Sequence, residues 1–136
     1  MTNRGFYFDA ESCIACHTCQ VACKNAHNLP VGTNYRIVRS FCTGEGFAPR
    51  WYNVSLAKNG CDTCATLRAE GEEPACVAAC PQHALEFGDV EDLRRAHAGE
   101  PLADECAAVS ADEFALPTVM RVKDCMGDPD FDEFIV

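Results

Sequence analysis

Apolar and polar residues alternate loosely over residues 35–58, where Tyr35, Ile37, Val38 and Phe41 precede Trp51, Val54 and Leu56. Gly44-Glu45-Gly46 interrupts the run, so two strands joined by a turn are predicted. Upstream, Phe6-Tyr7-Phe8 reads as a short aromatic strand ending at Asp9. Cys16 to His27 suits one helix, stopped by Asn28-Leu29-Pro30. Ala84-Leu85-Glu86-Phe87 reads as another strand, and Gly88-Asp89 opens a short helix to about His97 with Asp89 as its N-cap. The Ala- and acid-rich stretch after Pro101 predicts no element. Val119 to Lys123 reads as the last strand, followed by a loosely held tail from Asp124 to Val136.

Length and composition narrow this picture. At 136 residues the chain is one domain, or two small halves sharing a core. With 48% hydrophobic and 24% charged residues it is neither a disordered nor a membrane-spanning sequence. Apolar runs such as Ala75 to Cys80 fall far short of the ~20 residues that cross a bilayer. A net charge of -10 argues against a nucleic-acid partner, whose phosphates require a basic face. The charge is uneven: residues 1–68 carry seven Lys/Arg and four Asp/Glu, residues 69–136 four and seventeen. The plain reading is a solvated acidic surface, and the alternative is steering of an oppositely charged partner. Met1 to Asp9 shows no apolar h-region and no small-residue cleavage site, so a cytoplasmic location is expected from this sequence. Export together with a signal-bearing partner is the alternative.

Eleven cysteines change the picture most. Without a secretory signal, and with an odd number of thiols, bound metal is favoured over a disulfide scaffold. Eight cysteines fall into two groups, Cys13-x2-Cys16-x2-Cys19-x3-Cys23 and Cys61-x2-Cys64-x11-Cys76-x3-Cys80 followed by Pro81. In the first spacing three sulfurs converge from a tight loop on one iron–sulfur cube, while the fourth lies a helical turn further on and serves the other cluster. That crossover assigns Cys13, Cys16, Cys19 and Cys80 to one [4Fe-4S] cluster and Cys23, Cys61, Cys64 and Cys76 to a second. Each cluster then staples the two parts of the chain together, and folding should be linked to metal binding. The second group alone also suits a four-thiolate zinc site, but four cysteines within eleven residues exceed what zinc requires. Cys13-Ile14-Ala15-Cys16-His17 matches a haem-attachment motif, which would orphan Cys19 and Cys23. Cys42, Cys106 and Cys125 are expected as buried free thiols acting as small hydrophobes. His17, His27, His83 and His97 show no ligand pairing; His17 is expected on an exposed helix face, and His83 is a candidate donor to a cluster sulfur. Asp9-Ala10-Glu11 reads as the polar edge of the cluster loop. No nucleophile–base set or phosphate-cradling loop is present. A cluster with all four irons on thiolates has no open site for substrate and moves one electron at a time. The chain itself is therefore expected not to be an enzyme.

These residues resemble the iron–sulfur subunits of dimethyl sulfoxide reductase-type molybdopterin oxidoreductases. The likeness runs from Phe6-Tyr7-Phe8-Asp9 through Cys13 to Lys24, then Cys61-Asp62-x-Cys64, Ala69-Glu70-Gly71, Pro74-Ala75-Cys76, Cys80-Pro81 and Ala84 to Gly88, reaching Asp92-Leu93-Arg94. It is clear over about residues 5–97 and weak beyond. The family pattern has four cysteine groups; this chain keeps what look like the first and last, which by analogy hold the two clusters nearest the molybdopterin subunit. The resemblance implies an α+β, ferredoxin-like fold of two β-loop-helix halves about an approximate two-fold. Residues 1–100 would form the two-cluster domain, with a β-type insertion at 28–60. Residues 101–136 would be an extension packing on the domain or the partner. It implies electron transfer as the small subunit of a molybdenum or tungsten enzyme in an anaerobic setting. The partners would be a large molybdopterin-binding catalytic subunit and a soluble electron donor or acceptor, with no membrane span. Two other classes compete. One is a free-standing two-cluster ferredoxin serving several enzymes, with Arg36, Arg39, Arg50, Trp51 and Tyr52 as candidate docking residues and Trp51 equally a core anchor. The other is a zinc-bound structural module.

Overall fold

The computed structural model describes residues 4–43, 50–128 and 131–134. Gly44-Glu45-Gly46, and with it the expected turn, lies outside the described residues. In chain order the elements are β1 (Arg4–Asp9), α1 (Thr18–His27), β2 (Arg36–Thr43), β3 (Arg50–Ala57), α2 (Ala65–Ala69), α3 (Ala75–Ala79), β4 (Leu85–Asp89), α4 (Val90–Ala96), β5 (Leu102–Ala103), β6 (Thr118–Arg121) and β7 (Asp132–Phe134), with 3-10 turns at Ala111–Glu113 and Asp124–Gly127.

Strand β1 is the hinge of this mixed α+β arrangement. It pairs antiparallel with β4 and parallel with β6, inside a sheet ordered β4-β1-β6-β5. Successive strand residues point to opposite faces. Phe6 and Phe8 accordingly enter the main core, while Tyr7 enters a smaller cluster with Val90, Leu93 and Val119. The main core is completed by Phe41, Tyr52, Val54 and Leu56 from a second sheet, ordered β3-β2-β7, and by Cys19, Cys76 and Val77 from the cysteine-bearing helices. The segment 35–58 forms the expected antiparallel strand pair, β2 with β3. Asp89 caps α4 as expected, its carboxylate accepting from the backbone N–H of Glu91 and Asp92. Among the described residues no helix is long and apolar enough to cross a membrane.

Two expectations are corrected, for α1 and for the tail, and one stretch without a predicted element proves helical. Helix α1 starts at Thr18 rather than Cys16, because His17 takes a left-handed backbone (φ 61°) that helix geometry excludes. The second cysteine stretch contains two single-turn helices, α2 and α3, too short to leave a periodic signal. The tail is held: Met126 is fully buried, the Phe131 ring lies 4.9 Å from that of Tyr52, and β7 pairs with β2. Strand β6 is therefore not the last.

On the face away from the main core, His97 ties the end of α4 to the sheet. Its Nδ1 lies 2.8 Å from Glu100 and its Nε2 2.9 Å from Glu86. The Tyr7 ring stacks on the imidazole at 3.6 Å, and the Tyr7 hydroxyl donates to Glu100 at 2.7 Å. Only the imidazolium donates from both ring nitrogens at once. Partial burial opposes that charge, but the hydrogen bonds and charges of Glu100 and Glu86 outweigh it and raise the His97 pKa.

Two outcomes follow from this packing. A folded-state histidine pKa above the unfolded value of about 6.5 stabilises fully below that pH and loses its contribution as pH rises through the higher native value. The melting temperature should therefore fall as pH rises above about 6.5, and His97→Gln should flatten that dependence. At Gly5, a Cβ would collide with the Pro117 carbonyl, which accepts the Phe6 N–H, and with Val90. Gly5→Ala should cost about 1–3 kcal/mol in denaturant unfolding.

Candidate metal centre

The first cysteine loop is built by Asp9 at the end of β1. Its carboxylate accepts from the N–H groups of Glu11 and Ser12 and from the Ser12 hydroxyl, so the residue expected at a polar edge instead organises the turn. Ala15 and His17, lying between and just beyond the first two cysteines, are both left-handed (φ 58° and 61°). In the second loop Thr63 and Cys64 are left-handed, and the Cys64 N–H donates to Asp62. Non-glycine residues in this region cost of order 1–3 kcal/mol each and persist where the surroundings over-determine them, characteristically at functional sites. Of the six such residues described, only Asn28, at the end of α1, lies away from a cysteine loop; the sixth, His83, follows Cys80 by three positions.

Packing of α1 against α3 brings the two loops together. A cleft is lined by Cys13, Cys16, Cys19 and Cys80, with Phe8, Val38 and Leu85 in its walls. Burial pushes the Cys13 thiol up to about 11, with repulsion from Cys19, Cys80 and Cys16 adding to it. Burial likewise pushes Cys23 up to about 11, and there the repelling neighbours are Cys76, Cys64 and Cys61. The Cys61 and Cys64 thiols are raised chiefly by burial, each with Cys76 adding repulsion. The Cys19 thiol is raised by burial and lies in reach of both Cys76 and Cys80. Cys16, the exposed member, is lowered instead because the Thr18 hydroxyl and N–H donate to it. Thiols from residues 13–23 and 61–80 thus interleave in space.

Several groups donate to these sulfurs. The Ala84 N–H reaches Cys80 Sγ at 3.3 Å and the Ala75 N–H reaches Cys64 Sγ at 3.5 Å. Ser55 Oγ lies 3.4 Å from Cys19 Sγ and accepts from Arg36 Nη1 at 2.9 Å, which leaves the hydroxyl proton for the sulfur. His27 Nε2 lies 3.4 Å from Cys64 Sγ and 3.7 Å from Asp62. The histidine beside a sulfur is therefore His27, whereas His83 is exposed. Ser55 and Arg36 come from strands without a metal-binding spacing, and His27, though on α1 with Cys19 and Cys23, pairs with no other histidine at a ligand spacing, so none of the three is legible as a site residue in the sequence. His17 is half-buried, with Nδ1 beside Gln20 and Nε2 buried without a partner, not on an open helix face. An all-sulfur donor set with backbone amides turned toward it fits iron–sulfur ligation.

The remaining thiols are half-buried rather than buried: Cys106 and Cys125 lie near Tyr52 and Trp51, and Cys42 sits opposite Trp51 on β2. The expected docking set also divides. Arg36 and Tyr52 are buried and unavailable to a partner, while Arg39 is paired with Glu113 and Glu133, and Arg50 with Asp128. Trp51 is 45% exposed, with the Lys123 ammonium 3.9 Å above its ring, so it is not a core anchor.

Comparison with known proteins adds to this geometry. Residues 4–25 match the family described as a 4Fe-4S binding domain. The chain is 35% identical over 89 residues to the probable anaerobic dimethyl sulfoxide reductase chain YnfG of Escherichia coli (strain K12), covering 65% of this chain and 33% of the relative. It is 35% identical over 102 residues to the formate dehydrogenase iron-sulfur subunit of Wolinella succinogenes, covering 60% and 50%. It is 40% identical over 75 residues to the electron transport protein HydN of Escherichia coli (strain K12), covering 55% and 38%. The chain spans a third to a half of the length of these curated relatives. On these matches it is similar to the iron–sulfur subunits of dimethyl sulfoxide reductase-type and formate dehydrogenase-type oxidoreductases, and its first cysteine group lies within a 4Fe-4S binding domain.

Proposed function

We propose that this chain transfers electrons through two [4Fe-4S] clusters as the small, non-catalytic subunit of a molybdopterin oxidoreductase. Cys13, Cys16, Cys19 and Cys80 hold one cluster, and Cys23, Cys61, Cys64 and Cys76 hold the other, in two β-loop-helix halves about an approximate two-fold. The observation that carries this reading is the meeting of the two cysteine groups: Cys80 lines one cleft with Cys13, Cys16 and Cys19, while α1, which carries Cys23, packs on α3, which carries Cys76. Such clusters supply one-electron transfer at potentials tuned by charge, sulfur hydrogen bonds and solvent access. The protein's own part is to bury the sulfurs and to hold their lone pairs with Ala75, Ala84, Thr18 and Ser55. The large catalytic subunit and a soluble donor or acceptor complete the path, with residues 101–136 packing on this domain or on that partner.

Anaerobically purified protein should contain about eight iron and eight acid-labile sulfide per chain. Crossed ligation has its own signature. Cys80→Ser should remove the electron paramagnetic resonance signal of the cluster shared with Cys13, and Cys23→Ser that of the cluster shared with Cys61, each losing about four iron. Loss of the same cluster in both variants would overturn the assignment.

Affinity capture of the tagged chain from its host should return a large molybdopterin-binding protein in near-equal amount. The printed name of HydN, an electron transport protein, supports a second reading as a free-standing carrier. A monomer that reduces unrelated acceptors equally well would establish it.

A further inference from the structure

Arg36, at the start of β2, is 3% exposed. Its Nη1 donates to Ser55 Oγ at 2.9 Å, its guanidinium carbon lies 4.5 Å above the Phe6 ring, and its Nη2 is buried without a hydrogen-bond partner. Among the described residues no carboxylate forms an ion pair with it. A guanidinium stays charged at any working pH. An unpaired buried charge is strongly unfavourable, and proteins keep one only where an opposite charge compensates it. Here the available anions are sulfurs. Ser55 bridges Arg36 to Cys19 Sγ. The cation thereby reaches the first cysteine set through the Ser55 hydroxyl.

We propose that Arg36 is a positioning residue for electron transfer, a buried cation that acts through Ser55 and raises the reduction potential of the cluster held by Cys19. This rests on the two-cluster reading above. Adding one electron makes a cluster one charge more negative, and a fixed neighbouring cation stabilises that reduced form relative to the oxidised one. The Ser55 hydroxyl carries the effect, because it donates to the sulfur while accepting from the guanidinium.

The test is a dithionite titration of the whole protein followed by electron paramagnetic resonance, with iron and sulfide counted in each variant. Arg36→Met should lower the potential of the cluster that Cys80→Ser removes, changing its oxidised-to-reduced ratio at fixed ambient potential by at least about tenfold, or about 59 mV. Arg36→Lys should restore most of that shift, and Ser55→Ala should lower the same potential. Two intact clusters with that potential unchanged in Arg36→Met would overturn the proposal. If Arg36→Met fails to assemble clusters, Arg36→Lys decides. Two clusters near wild-type potentials support a charge role, and failure of both variants makes Arg36 structural and overturns it. Wild-type protein lacking two clusters would instead refute the underlying reading.

Discussion

Sulfur is hard to concentrate in a protein interior. The thiols of Cys13 and Cys23 are pushed toward the neutral form by burial and by the cysteines that crowd each of them. Any metal that enters must displace those protons, which couples binding to pH and to folding. The rest of the architecture serves to make that crowding tolerable. Strand β1 delivers the first loop, α1 packs against α3 to meet the second, and the main core seals the sulfurs behind Phe6, Phe8 and Leu56.

Arg36 is the counterpart of this constraint. Its placement beneath the sulfurs, stacked on Phe6, gives the strand pair β2–β3 a part in the site as well as in the core. The same strand pair supplies Ser55 and the core residues Val54 and Leu56, so residues 28–60 are not a detachable insertion in physical terms. They contribute a cation, a hydroxyl and, in Val38 and Ser55, part of the lining of the cysteine cleft.

The opposite side of β1 has a separate chemistry. Tyr7, His97, Glu86 and Glu100 form a stacked, charge-assisted clamp that anchors α4, and Arg121 links it to Asp9 at the start of the first cysteine loop. One strand therefore divides the molecule into a sulfur face and a carboxylate face. The alternation of Phe6 and Phe8 with Tyr7 does this directly, since adjacent side chains in a strand point in opposite directions.

The cysteine spacings, the strand at residues 6–8, the strand pair within 35–58 and the Asp89 cap could be read from the sequence by itself. Each depends on residues within a few positions of one another, where periodicity and local hydrogen bonding operate. Which segments lie beside β1 was decided by the tertiary structure: β6 joins it from over a hundred residues away, and β7 returns to β2 from a tail with no local signal. The same holds for the unpaired guanidinium of Arg36, the approach of His27 to Cys64 and the burial of Tyr52. Arg36 looked like a surface cation because charge in a sequence carries no information about what folds over it. Only closure of the distant strands and helices removed it from water and set it against the sulfurs, and that closure is governed by packing, which no local pattern encodes.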